Sequence, residues 1–233
     1  VISFKQSLRE LRRTAGAARD YDVLCERLQL HLPPERSSSG IQRSSIEQLL
    51  QLVAIKQIAN RQSISAIRSQ LMLWGWHSRV DDLINSTQRN KKNYDDFIQS
   101  RLKKSCEQFP DTAKASPKKT KPLHKLRIAG KNLRYTLELI PKKNLSKPLK
   151  RCQKTLHTMQ NELGDFTDHT AAAKILKQFS KEPMADDMLY VINKMQREEN
   201  TLAKISQHRF SYWWSKNRWQ LIHKGLNKVS KND

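Results

Sequence analysis

The chain has 233 residues, with 44 Lys and Arg against 22 Asp and Glu, and its formal net charge at pH 7 is +22. This basic excess is larger than solubility requires and indicates a polyanionic partner: nucleic acid, a phosphate polymer or an anionic membrane surface. The three cysteines stand far apart without a C-x-x-C pair, which argues against a disulfide or zinc scaffold and fits a reducing cytosol. No apolar run approaches the ~20 residues of a membrane-spanning helix.

Apolar residues recur at helical spacing along nearly the whole chain, and strict polar–apolar alternation is rare. This pattern predicts an all-α protein. In chain order, we expect helices at 3–31, 44–74, 80–109, 123–140, 145–179, 186–207 and 210–229. A loop rich in Pro, Ser and Gly is predicted at 32–40, and a Lys- and Pro-containing linker at 111–122.

The two halves of the chain resemble each other. Residues that match at offsets of 148 or 136 are Gly16 with Gly164, Asp20 with Asp168, Leu28 with Leu176, Arg61 with Arg197, and Arg68 with Lys204. These matches predict two copies of one set of helical hairpins. The expected half-repeats are 1–110 and 123–233, on either side of the linker at 111–122, and together they form one domain.

The repeat also predicts that one helix is missing from the first half. At an offset of 148, the counterpart of His124 falls before Val1. The first half-repeat is therefore expected to lack its opening helix, either because that helix has been removed or because the protein never had it.

Residues 123–140 form an amphipathic helix with one basic face. On a helical wheel of about 100° per residue, four basic residues share roughly one quadrant: His124, Arg127, Lys131 and Arg134. Leu, Ala and Ile occupy the opposite side, and Glu138 is the only acid within the basic face. Like charges one turn apart repel each other, so a helix selected for stability alone would carry more acids there.

Similar basic stripes recur on other predicted helices. Their residues are Lys5, Arg9, Arg12 and Arg19; Lys147, Lys150, Lys154 and His157; Lys194, Arg197, Lys204 and His208; and the pair Arg61 and Arg68. Several stripes in one chain favour a polyanion-binding groove over ordinary solvated faces. Arg offers a planar fork of donors to phosphate and Lys offers a point charge. Sequence-specific DNA binding would instead need a short recognition helix, and single-strand binding would need aromatic residues among the basic ones.

Two segments resemble the signature of the CHAD domain, the conserved-histidine α-helical domain. The first hallmark is carried here by His124, Arg127, Lys131, Leu133, Arg134, Tyr135, Leu137 and Glu138. The second is carried by Gly16, Arg19, Asp20 and Asp22, with a variant in the second half at Gly164, Asp165 and Asp168. In that variant, Thr167 replaces the Arg of the hallmark.

The resemblance implies two four-helix bundles related by a pseudo-two-fold axis, with basic helix faces lining a groove or pore between them. The family is associated with binding inorganic polyphosphate, often beside CYTH-type triphosphatase domains or polyphosphate enzymes. No CYTH-like barrel pattern is present in this sequence.

The aspartates of the second hallmark could look like a metal or acid–base set. Helix-terminus positions and pairing with arginine explain them better, so we expect Asp20, Asp22 and Asp168 to support Arg and His side chains. A magnesium site built from them is the alternative. The sequence shows no H-x-x-x-H zinc pair, no Gly-rich phosphate loop and no G-x-S-x-G motif.

The sequence therefore predicts a non-enzymatic protein, without metal or cofactor, that binds inorganic polyphosphate through the stripe residues. One alternative is a nucleic-acid-associated basic protein, and another is an accessory subunit that presents polyphosphate to a polyphosphate-metabolising enzyme. A hydrolase is the weakest reading, and a membrane is not expected as a partner. The predicted location is the cytoplasm, including polyphosphate granules.

Overall fold

The computed structural model describes residues 2–34, 40–89, 94–113, 120–141, 143, 145–214 and 216–227. Within these ranges the chain forms eight α-helices and no strand. The helices are α1 (Ile2–Leu30), α2 (Gly40–Leu73), α3 (Trp76–Arg89), α4 (Tyr94–Ala113), α5 (Thr120–Glu138), α6 (Lys147–Phe179), α7 (Asp186–Trp213) and α8 (Lys216–Asn227). The all-α fold predicted from the apolar spacing is confirmed.

Some predicted helix boundaries are wrong. The helix predicted at 80–109 is described as α3 and α4, and residues 90–93 lie outside the described part of the chain. The sequence predicts a helix end at Gln207, but α7 continues to Trp213 because Phe210 is fully buried in the core. Residues 35–39 of the predicted loop and 228–229 of the last predicted helix also lie outside the described residues.

The linker predicted at 111–122 is partly helical. α4 reaches Ala113 and α5 begins at Thr120, while residues 114–119 are outside the described ranges. Pro122 stands in the first turn of α5, where a backbone N–H would have no intrahelical partner in any case. Proline is therefore compatible with the start of this helix.

The chain divides into two compact units. The first consists of Val1–Asn90 with Asp168–Asn200, and the second of Lys91–Thr167 with Thr201–Asp233. α6 and α7 each contribute one segment to each unit. The half-repeats at 1–110 and 123–233, their bundle arrangement and their internal symmetry stay predictions.

The core of the first unit is built from α1, α2 and the segments of α6 and α7 that belong to it. α1 and α2 pack along each other, and their leucines Leu24, Leu28 and Leu49 are buried. From the other two helices, Leu176 and Ile192 complete this apolar cluster. Spacings of three and four residues put such side chains on one side of each helix, and their burial is the main source of the unit's stability.

The core of the second unit joins α4, α5 and α8 to the remaining segments of α6 and α7. α5 contributes Leu123, Leu126, Leu133 and Leu137, all at most 2% exposed. Because these leucines recur at spacings of three, seven and four residues, the opposite side of α5 faces away from this core. That orientation determines where the basic side chains of α5 lie.

Two glycines have clear local roles. Gly75, between α2 and α3, adopts a φ of 68°, and its N–H donates to the Met72 carbonyl at 3.0 Å. Only glycine takes up such left-handed backbone without strain. Gly225 in α8 permits close helix packing, since a Cβ there would lie 2.8 Å from the Cβ of Cys152 and 3.2 Å from the Pro148 carbonyl oxygen.

Candidate functional site

The basic face of α5 is the most developed of the predicted stripes. His124 is exposed, whereas Arg127, Lys131 and Arg134 are half-buried at the edge of the second unit's core. Their aliphatic stems can cover apolar surface while the charged ends reach outward. The helix therefore holds three cations in partly desolvated positions, where a charge is screened less than it is in open water.

Buried donor atoms without an acceptor cluster on α5 and α6. Among the described residues, the buried side-chain nitrogens that lack a hydrogen-bond partner in the protein are Arg27 Nε, Arg127 Nε, Arg134 Nε and Gln160 Nε2. Three of these four belong to the second unit, and all four are donors. A buried donor without an acceptor is costly, and two of these four donors lie on α5.

Arg134 is fixed by two neighbours on its own helix. Its Nη1 forms an ion pair with the Glu138 carboxylate at 3.1 Å, and its guanidinium lies 4.8 Å from the centre of the Tyr135 ring. The ion pair and the cation–π contact hold the planar group in one orientation. Glu138, the single acid of the basic face, thus positions an arginine as well as offsetting its charge.

The stripe on α6 is exposed throughout. Lys147, Lys150, Lys154 and His157 all lie on the surface of the second unit. The ring of His157 lies 3.4 Å from the Asn161 amide nitrogen. These flexible lysines contribute charge rather than fixed geometry, because an ammonium group on a long stem makes no planar, paired contact.

One arginine that the stripes do not include is bound by acids of α6. Arg209 donates to Glu162 at 2.9 Å and also to Asp165. These two hydrogen bonds raise the pKa of Arg209 above its ordinary value. Asp165 is the acid of the variant hallmark, and in this structure it holds a guanidinium.

The first unit carries the stripe on α1, with Lys5, Arg9, Arg12 and Arg19 all exposed. It also carries Arg61 on α2, whose Nη2 lies 3.4 Å from an oxygen of Asp22. The same oxygen accepts from the Gln57 amide at 2.8 Å.

The remaining predicted residues are divided between the units. Arg68, Arg197, Asp20 and Asp168 belong to the first unit, and Lys204 belongs to the second. Arg68, Arg197, Lys204 and Asp20 are exposed, while Asp168 is half-buried. One predicted stripe therefore extends over the segments of α7 in both units, namely that of Lys194, Arg197, Lys204 and His208.

Sequence reasoning missed a polar cluster inside the first unit. Glu199 is only 3% exposed, and its two oxygens accept from Arg27 Nη1 at 3.1 and 3.0 Å. Its Oε2 is also 2.7 Å from His169 Nδ1, and that ring nitrogen lies 2.6 Å from Arg27 Nη1. The three side chains join α1, α6 and α7 through charge-assisted hydrogen bonds.

A signal for this cluster is present in the sequence. On α7 the buried positions Ile192, Met195, Glu199 and Ala203 follow one another at spacings of three and four residues. A carboxylate within an apolar series at this period predicts a buried ion pair rather than a solvated charge.

The cysteines and acids show no further reactive arrangement in the described chain. Burial raises the pKa of Cys106 to about 11 and that of Cys152 to about 12, so both stay thiols at neutral pH. Burial likewise raises the pKa of Cys25. Within the described residues no group of three or more His, Cys, Asp or Glu side chains is arranged to hold a metal ion.

The fold and the charge distribution define an all-α protein with single-signed basic faces on several helices. A family model for the CHAD domain matches residues 2–177, and the chain belongs to this family, which is associated with polyphosphate binding. No curated protein and no solved structure matches the chain. None of the described helices has the length and apolar character needed to cross a bilayer.

Proposed function

We propose that this chain binds inorganic polyphosphate without catalysing a reaction, and that basic helix faces are the binding surface. His124, Arg127, Lys131 and Arg134 on α5 are its centre. Lys147, Lys150, Lys154 and His157 on α6 extend it in the second unit. In the first unit Lys5, Arg9, Arg12, Arg19, Arg61, Arg68 and Arg197 contribute charge, as does Lys204 in the second, while Asp20, Asp22 and Asp168 act as supporting acids.

The observation that carries the proposal is the partial burial of the arginines on α5. Arg127 and Arg134 each bury an Nε–H that has no acceptor in the protein, on the helix that carries the family's histidine hallmark. The side chains of Arg127, Lys131 and Arg134 are nevertheless partly exposed, and a phosphate chain supplies many anionic oxygens for charge-assisted hydrogen bonds with their accessible donors. A row of cations that rises about 5.4 Å per helical turn suits a linear polymer of charges.

The aromatic residues in the core of the second unit are not available to stack with the bases of a nucleic acid. Phe210 and Phe109 are fully buried, and they stack with Trp214 at 5.8 Å and with Trp219 at 5.9 Å. These rings belong to the core cluster of the second unit, so they are not interleaved with the stripe residues as base-stacking platforms would be.

The test of the site compares two triple variants with equal loss of charge. In the first, Arg127, Lys131 and Arg134 are changed to Ala. In the control, the three exposed lysines of the first unit, Lys174, Lys177 and Lys181, are changed to Ala. Binding of long-chain polyphosphate is measured at several salt concentrations, and thermal melts verify that both variants fold.

We expect the α5 variant to lose at least tenfold in affinity, and the control to lose about threefold or less. By analogy with nucleic acids, the loss of three phosphate contacts lowers the slope of log K against log salt by about 2. Equal losses in the two variants would show that net charge alone drives binding. Displacement of labelled polyphosphate by duplex DNA at equal phosphate concentration would refute the preference for polyphosphate.

A further inference from the structure

A surface cavity of about 550 Å³ lies between α4 and α5 of the second unit. Its volume is within the range of about 300–1,000 Å³ that is typical of small-molecule sites. Along α4 it extends from Phe97 to Gln108, which corresponds to about 16 Å of helix. It is lined by side chains other than the proposed polyphosphate-binding residues.

One part of this cavity exposes aromatic surface. Phe97 is 47% exposed and Tyr135 is 48% exposed, and both rings line the cavity. Each ring carries a guanidinium: that of Arg101 lies 5.5 Å from the centre of the Phe97 ring, and that of Arg134 lies 4.8 Å from the centre of the Tyr135 ring. Exposed rings oriented in this way are platforms on which a flat ligand group can stack.

The same cavity is positively charged. Arg101 and Lys104 are one helical turn apart on α4, both are exposed, and both line the cavity. No acidic side chain is among the described residues of its lining. A ligand that uses this cavity therefore gains from carrying negative charge within reach of two cations.

The remaining lining is uncharged and consists of the apolar Leu139 and four polar residues. Asn132 and Gln108 provide amides, which can donate and accept hydrogen bonds at the edge of a planar ring. In the centre, the hydroxyl groups of Ser105 and Thr136 are 3.5 Å apart. Thr136 also donates to the carbonyl of Asn132 at 2.8 Å, which ties the hydroxyl to the backbone of α5.

We propose that this cavity binds a nucleoside phosphate. Such a ligand combines the three features that the lining serves: a flat base for Tyr135 and Phe97, hydrogen-bonding edges for the two amides, and phosphates for Arg101 and Lys104. An inorganic phosphate chain would leave the rings and amides unused. The inference does not depend on polyphosphate binding: the lining contains none of the proposed polyphosphate-binding residues, although one lining residue, Tyr135, contacts Arg134.

The experiment compares ATP with inorganic tripolyphosphate, which carries a similar charge but has no base, by calorimetry on the full chain. We expect ATP binding to depend on the side chains of the cavity, whereas tripolyphosphate, a short phosphate chain, should bind the basic faces. Phe97→Ala, which removes a cavity ring outside the basic face of α5, should weaken ATP binding about tenfold, as the loss of one base–aromatic stack does, and should leave tripolyphosphate binding within twofold. An equal effect of Phe97→Ala on the affinities of the two ligands would overturn the proposal.

Matched variants separate the cavity from the basic stripes. Lys104→Ala should weaken the affinity for ATP about fivefold. Lys224→Ala, at an exposed lysine of α8, should leave that affinity unchanged. Tyr212→Ala removes a tyrosine that is 94% exposed outside the cavity and should also have no effect. If ATP affinity instead falls on changing Lys147, Lys150 and Lys154 to Ala and is insensitive to Phe97→Ala, ATP binds the stripes as a simple polyanion and the proposal is wrong.

Discussion

The buried ion pair between Glu199 and Arg27 gives the sharpest test of what stabilises the first unit. Glu199→Gln keeps the shape of the side chain and removes its charge. The Gln amide can then accept through only one oxygen, and its NH₂ group faces Arg27 Nη1 or His169 Nδ1, which lie 3.0 and 2.7 Å from Oε2 in the wild type. The charge of Arg27 loses its partner in a position where its side chain is only 21% exposed.

Removal of one partner from a buried ion pair costs about 3–5 kcal/mol. Because Arg27 retains some contact with solvent, we expect a cost at the low end of this range, about 3 kcal/mol. For a chain of this length that loss corresponds to a fall in Tm of about 6–12 °C. Urea unfolding followed by circular dichroism measures the free energy of unfolding. Hydrogen exchange in α1 and α7 then shows whether the loss of stability lies within the first unit.

The adjacent residue provides a matched control. Glu198 is 41% exposed at its side chain and lies 3.4 Å from the ring of His31, so Glu198→Gln should cost less than about 1 kcal/mol. A double variant, Arg27→Met with Glu199→Leu, should recover most of the lost stability because it leaves no unpaired charge. The reasoning is refuted if Glu199→Gln costs less than about 1 kcal/mol, or no more than Glu198→Gln.

Two further predictions concern packing and alkaline pH. Gly225→Ala should destabilise the second unit by about 1 kcal/mol, because overpacking against Cys152 and Pro148 outweighs the better helix propensity of Ala. At Gly164 a Cβ meets nothing within 4 Å. Gly164→Ala should therefore stabilise the protein by about 0.5–1 kcal/mol in the same chemical denaturation assay. Burial raises the pKa of Cys152 from 9.0 to about 12. The contribution of the buried thiol to folding stability is therefore fully present below pH 9, and it is lost as the pH rises towards 12. The stability advantage of the wild type over Cys152→Ala should therefore shrink by about 1 kcal/mol per pH unit between pH 9 and 11, and a constant difference would contradict this.

The all-α class could be predicted from the sequence because apolar spacing reports directly which face of a helix is buried. Leu126, Leu133 and Leu137 illustrate this on α5. Boundaries were harder, since they depend on tertiary contacts. The sequence places a break before Phe210, yet burial of that ring in the second unit keeps α7 helical to Trp213.

The role of Gly130 could not be deduced from helix propensity. By propensity alone, a glycine within α5 weakens the helix by up to about 1 kcal/mol relative to Ala. In the structure a Cβ at Gly130 would lie 2.0 Å from the terminal carbon of Met159. The glycine makes room for a buried side chain of α6, and such a contact becomes visible only when the two helices are placed together.

The predicted basic residues were identifiable, but the sequence could not rank them, because every Arg and Lys on a stripe has the same formal charge. The structure separates them by burial: Arg127 and Arg134 are half-buried with unsatisfied Nε donors, whereas Arg9 and Lys150 are exposed. The exposed cations act over a distance limited by the Debye length, about 8 Å at physiological ionic strength. Their effect on a polyanion is mainly to raise its rate of approach and to make binding sensitive to salt.

The half-buried arginines of α5 act differently. Glu138 and Tyr135 hold the guanidinium of Arg134 in place without a ligand, so at the proposed site little side-chain entropy of Arg134 would be lost on binding. Their contacts also lie in a less solvated environment, where salt screens them less. Affinity that survives at high salt should therefore come from Arg127 and Arg134, while the exposed stripes account for the part that salt removes.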